Sequence, residues 1–222
     1  MDALPSELRR RIGLAWRDAA TAEHASSVAL RRFVMELLAL GAPLELVGAA
    51  HHAIADETMH AWLAFALASA YLGEPVGPDA AASQHAARNV AAIVHEAIVD
   101  GCIGKTIAVA RAEHALALVE DPAVRRVLAV IARDEARHAA LAWRFVAWAL
   151  HEHPELRQLA VATFDRAPTL AAAAGDPDAA SLRAHGIVPT DDARTLVEIA
   201  FTELVRPCAD ALLDEVPTSA AA

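Results

Sequence analysis

Glycine and aromatic residues are scarce in this chain: 222 residues contain 9 Gly, 5 Phe, 4 Trp and a single Tyr. A β-sandwich or barrel needs aromatic and β-branched strands separated by glycine-rich turns, so the composition argues against both. Clustered positive charge is also lacking. With 19 Lys and Arg against 29 Asp and Glu, the formal net charge is −10, which disfavours a nucleic-acid or anionic-membrane surface, because both are held by clustered cations. The longest strongly apolar stretch, Ala61 to Gly73, is well short of the ~20 residues that span a bilayer. Met1-Asp2-Ala3-Leu4-Pro5 leads into charged residues rather than the apolar core of a secretory signal, so a soluble, cytoplasmic protein is expected. Cys102 and Cys208 form no CxxC pair and cannot make a disulfide framework; both are expected as small buried thiols.

What the chain does have is helix-forming residues. Hydrophobic residues make up 56% of it, much of that alanine, the strongest helix former. The length suits one domain. Apolar spacing and Pro/Gly punctuation predict a first helix from Pro5-Ser6 to Leu40, stopped by Gly41 and Pro43. A second runs from about Leu44 to Leu72, and residues 73–82 form a connection long enough to cross a bundle. The third is expected from Ser83 to Glu120, and the fourth from the Asp121 cap and Pro122 to near Pro154. A shorter helix over about 155–166, an irregular stretch over 167–189, a last helix from Thr190 to about Glu215 and a loose tail over 218–222 complete an all-α chain.

A motif recurs on two of the long helices. Asp56-Glu57-Thr58-Met59-His60-Ala61 and Asp134-Glu135-Ala136-Arg137-His138-Ala139 share Asp-Glu-x-x-His-Ala at an offset of 78 residues, and Leu63 and Ala64 then match Leu141 and Ala142. Residues three apart on a helix point to a common locus. Glu57 with His60, and Glu135 with His138, can therefore each offer a carboxylate and an imidazole to a metal. Both pairs lie in apolar stretches, where a buried glutamate needs a cation or a proton to offset its desolvation. Carboxylate and imidazole donors suit Fe or Mn better than a structural Zn.

Four long helices, two of them bearing Glu-x-x-His, resemble the ferritin-like di-iron carboxylate superfamily over about residues 6–152. The resemblance implies a ferritin-like four-helix bundle with a crossover connection, carrying the metal site over 1–152. Residues 153–222 then form a C-terminal helical extension packed on it. It also implies one further carboxylate from each of the other two helices. Glu23, 34 residues before Glu57 and among small neighbours such as Ala19, Ala20, Ser26 and Ser27, is the natural first-helix ligand. On the third helix the 78-residue offset and an angular winding of 100° per residue favour Asp100, with Glu96 as the alternative and Glu113 on the solvent face. The expected ligand set is thus Glu23, Glu57, His60, Asp100, Glu135 and His138. Lys105 falls at the edge of the apolar arc. It either snorkels to solvent or brings its ammonium to the carboxylates and replaces one cation.

By the same resemblance, two Fe ions, or Mn or a Mn/Fe pair, would activate O₂ to oxidise a small organic substrate, with an electron donor allowed as a partner. A monomer or homodimer is expected. The alternative is ferritin-like iron oxidation for storage or detoxification, which the long extension beyond His151 argues against. Asp56 and Asp134 are either partners of the histidines or solvated. Tyr71 lies three turns beyond His60, too far for a radical tyrosine, and Trp16, Trp62, Trp143 and Trp148 read as core anchors. Arg137, Arg144, His51, His52 and Thr106 are candidate substrate anchors, with surface positions as the default. His95, His114, His151 and His153 are expected in solvent.

Overall fold

The computed structural model describes residues 4–80, 88–171 and 175–215. Among them the chain is helical, with no strand, and no helix there is long and apolar enough to cross a membrane. Helix α1 (Ser6–Ala39) ends at a turn in which Gly41 adopts φ 66°, a left-handed backbone that disfavours any side chain. The chain returns as α2 (Leu44–Leu72), capped by Gly73. Helix α3 (90–118) is continuous but not uniform: Val90–Glu96 and Thr106–Leu118 are α-helical, and Ala97–Lys105 between them is π-helical. Helix α4 (Pro122–Glu152) starts where the Asp121 carboxylate accepts from the N–H groups of Ala123 and Val124, with Pro122 in the first turn.

Helix α3 is shorter than expected. Its supposed start at Ser83, with Gln84 on the polar side, lies outside the described residues, as does the tail over 218–222. Arg88 and Asn89 are already non-helical, because the Asn89 side chain accepts from the Ala92 N–H and caps the helix at Val90. At the other end Val119 is extended, and the N–H groups of Glu120 and Asp121 donate to the Ala184 carbonyl. That carbonyl ends a short helix, α6 (Ala179–Ala184), inside the stretch expected to be irregular. Before it, a 3-10 turn (Pro154–Leu156) leads into α5 (Arg157–Phe164). After it, α7 (190–215) contains a second π-helical segment, Phe201–Val205.

Helix α1 packs along α2, α3 along α4, and α2 against α4. Their apolar faces form two clusters. One gathers Val34, Leu37, Leu46, Ile98, Phe145 and Leu150 with Phe164, Val197, Phe201 and Val205 of the C-terminal helices. The other gathers Ile12, Trp16, Phe65, Tyr71, Val124 and Leu128 with Leu182. Along α1, α2 and α4 the two clusters leave a gap, and Glu23, Glu57, His60, Glu135 and His138 all fall in it. Two sequence expectations change here. Trp62 is 65% exposed, because with Met59 it faces outward from α2, whereas Trp16 is buried and Trp143 and Trp148 are partly buried. Cys102 is buried, but Cys208 is exposed on the outer face of α7.

Candidate metal centre

Apolar neighbours on α2 and α4 turn both Glu-x-x-His pairs inward. Glu57 and His60 are completely buried, and Glu135 and His138 nearly so. Helix α1 comes close enough to add Glu23 because its facing residues are small: buried Ser27 lies 3.4 Å from the Thr58 hydroxyl of α2. One ligand atom from each of Glu23, Glu57, His60 and Glu135 lies within 4.8 Å of the others. His60 Nδ1 is 3.6 Å from Glu23 Oε2 and 4.0 Å from both Glu57 Oε2 and Glu135 Oε1. His138 faces the other Glu57 oxygen, its Nδ1 3.1 Å from Glu57 Oε1, and lies 3.9 Å from the same Glu135 Oε1.

The aspartates of the repeated motif are crossed between the repeats. His60 Nε2 donates to Asp134 Oδ2 at 3.2 Å, and His138 Nε2 donates to Asp56 Oδ2 at the same distance. Arg137 links the two, donating to Asp56 at 2.9 Å and pairing with Asp134 at 2.8 Å, and Arg133 also donates to Asp134. With each Nε2 committed as a donor, the neutral ring presents its lone pair at Nδ1, towards the glutamates. A carboxylate behind a histidine fixes a metal-ligating tautomer in this way. Arg137 is exposed, as its default surface position had it, but only the crossing of the two helices reveals that it bridges both aspartates.

The third-helix carboxylate is not brought to this group. Asp100 is exposed and borders a neighbouring cavity, and Glu96 is held by Arg32 and Arg88. In their place stands Lys105, whose Nζ donates to Glu57 Oε1 at 2.5 Å and to Glu135 Oε1 at 3.0 Å. The π-helical segment accounts for the change. Its i→i+5 bonds turn the chain through a smaller angle per residue than the 100° of an α-helix, so a uniform winding misplaces residues between Ala97 and Lys105.

Electrostatics follow from crowding acids in a dry space. Burial, reinforced by Glu57 and Glu135 and opposed by the nearby His60 imidazole, pushes Glu23 up to about 7. Burial also works against the Glu57 carboxylate, but His138, Glu23 and Lys105 outweigh it and hold that group far below the ordinary range. The His60 imidazole loses some basicity to burial and regains more from Glu23, Asp134 and Glu57, so it ends above its usual value. Burial disfavours the Lys105 ammonium too, yet the charges and hydrogen bonds of Glu135 and Glu57 hold it above normal. Within the cluster, four buried atoms are left with no hydrogen-bond partner: Glu57 Oε2, Glu135 Oε2, His60 Nδ1 and His138 Nδ1. Orphaned buried acceptors are rare and costly, and oxygen and nitrogen donors with these lone pairs free are what a borderline-hard divalent cation requires.

No protein-family model, curated protein or solved structure matches the chain. Beside the cluster, between α1, α3 and α4, lies a cavity of about 490 Å³. Part of its wall is small residues, Ala22, Ala25 and Ala29 on α1 with Gly101, Gly104 and Ala142; Phe33, Arg88, Glu96, Lys105 and His138 also border it. The α3–α4 wall is tight: a Cβ on Gly101 would meet that of Ala142 at 2.5 Å. On the other face of His138, a recess of about 270 Å³ collects His52, Asp56, Arg137 and Arg144. Of the remaining anchor candidates, His51 is exposed and donates to the Val47 carbonyl, and Thr106 accepts from the Trp143 indole. His95 and His114 are partly buried rather than solvated, bonded to Thr163 and facing Asp192 respectively. Tyr71 sits in the second apolar cluster, outside the carboxylate and histidine group, its hydroxyl 2.7 Å from His185 Nδ1.

Proposed function

We propose that this chain is a ferritin-like metal-carboxylate protein that uses iron or manganese and O₂ to oxidise a small organic substrate. The observation that carries this reading is the group of buried, unpartnered donor atoms from Glu57, His60, Glu135 and His138, with Glu23 beside them and a largely apolar cavity next door. Glu23, Glu57, His60 and Glu135 would hold a redox metal, which when bound would supply the electron-transfer chemistry for O₂-dependent oxidation. The protein's own share is positioning. Asp134 and Asp56 hold the imidazoles with Nδ1 inward, the carboxylates would neutralise the ion, and the two apolar clusters shield Glu57, His60, Glu135 and His138 from bulk water. The cavity volume lies in the range that encloses a small molecule, and its alanine and glycine walls favour an apolar body. The exposed carboxylate of Asp100 and the hydroxyl of Ser26 are polar points at which such a molecule could be oriented.

Iron storage is the competing use of the same ligands. Anaerobic loading with Fe(II), exposure to O₂ and size exclusion separate the two. A monomer or dimer that keeps only its tightly bound iron and consumes O₂ supports the oxidase or oxygenase reading. A many-subunit assembly that accumulates ferric iron overturns it in favour of storage, and a chain that retains no iron overturns both.

A further inference from the structure

Resting on the reading of the cluster as a metal centre, we propose that it binds a single divalent ion on the His60 side, with the Lys105 ammonium occupying the place of a second. The bonding pattern divides the site in two. Lys105 takes Oε1 of both Glu57 and Glu135, leaving Oε2 of both glutamates unpartnered. The group of mutually close ligand atoms contains Glu23, Glu57, His60 and Glu135, with His60 rather than His138 as its imidazole. On the other side His138 Nδ1 lies 3.1 Å from Glu57 Oε1, the oxygen that also receives the ammonium. An ion held by His138 and Glu57 on that side would have to share this oxygen with the ammonium.

Charge gives the same answer independently. In the form that binds metal, with all three carboxylates ionised and both histidines neutral, Glu23, Glu57 and Glu135 with Lys105 carry two net negative charges. One divalent cation cancels them. A second would leave two positive charges in a space where Glu57 and His60 have no solvent contact, a large desolvation cost with nothing to offset it. The outer ring does not alter the balance, because Asp56 and Asp134 are matched by Arg133 and Arg137. Nor does α3 offer a replacement acid, with Asp100 exposed and Glu96 paired to two arginines. Lys105 and His138 thereby become the partition between the ion and the cavity, since both border that cavity and Glu57 and Glu135 do not.

The test counts ions on the full chain. Protein stripped by chelation is equilibrated with Mn(II) without O₂, desalted and analysed for metal per chain, with electron paramagnetic resonance to tell an isolated Mn(II) from an exchange-coupled pair. One ion with the isolated-ion spectrum is expected for the wild type, and two with a coupled spectrum for Lys105→Glu, which supplies a fourth carboxylate. His60→Ala should lose the ion, and His138→Ala should retain it. Two ions in the wild type overturn this inference and leave the metal reading standing; none overturns the metal reading itself. Folded Lys105→Glu that still holds one ion, or His138→Ala that loses metal as completely as His60→Ala, also overturns it. If Lys105→Glu does not fold, the wild-type count and the two histidine variants decide.

Discussion

An imidazole binds metal well only when its second nitrogen is held, and here each histidine is held by an aspartate from the opposite repeat. Removing such a carboxylate costs about 10–100-fold in metal affinity in comparable sites. Asp134→Ala is therefore expected to weaken Mn(II) binding by about that factor, measured by competition with a chelator of known affinity. Asp56→Ala, behind His138, is expected to have a markedly smaller effect. At this scale the sequence was informative where a short motif carries the chemistry. The spacing of Glu57, His60, Glu135 and His138 is enough to aim them together, and the register of the first hairpin is enough to find Glu23. It was uninformative where a contact depends on how two helices cross, as with Arg137 bridging Asp56 and Asp134. Lys105 stood between, since its apolar flank left both a solvent and an inward orientation open.

The helices were legible through their stops, because Gly41, Gly73, Asp121 and Pro122 each act on the backbone locally. What escaped was the winding within them. Propensity and apolar periodicity assume one angle per residue, and neither reports the π-helical turns of Ala97–Lys105, which exchange Asp100 for Lys105 at the cluster. The short α6 escaped for another reason: it is stabilised through Leu182 in the second apolar cluster and through the bonds from Glu120 and Asp121, both remote in sequence. The close approach of α3 to α4 makes a direct prediction. Gly101→Ala places a Cβ 2.5 Å from that of Ala142, which has no flexible end to move. Overpacking of this kind costs about 1–3 kcal/mol against about 1 kcal/mol regained in helix propensity, for a net loss of up to about 2 kcal/mol. The midpoint of urea unfolding should fall accordingly. Helix α7 is tied to the bundle by Phe201, buried in the same cluster as Phe145 and Leu150. Phe201→Ala should cost about 3–5 kcal/mol and lower a single calorimetric transition rather than split it in two.

For the whole molecule, the site sits at the seam between two apolar clusters, so its unsatisfied polar atoms tax the cohesion of both. Three glutamates and two histidines are held in a gap where, among the described residues, one ammonium, that of Lys105, balances the acids. A cation that binds the folded chain and not the unfolded one stabilises it by about 2.7 kcal/mol when its free concentration is a hundredfold above the dissociation constant. In a chain of this length each kcal/mol moves the melting temperature by roughly 2–4 °C. Mn(II) or Fe(II) added to stripped protein without O₂ should therefore raise Tm by roughly 5–10 °C, and chelator should reverse the shift. His60→Ala should melt at one temperature with or without metal, because the ligand group loses its imidazole while the clusters on either side stay packed. A wild-type Tm indifferent to saturating Mn(II) and Fe(II) would show that the orphaned atoms are met by protons and water instead of an ion.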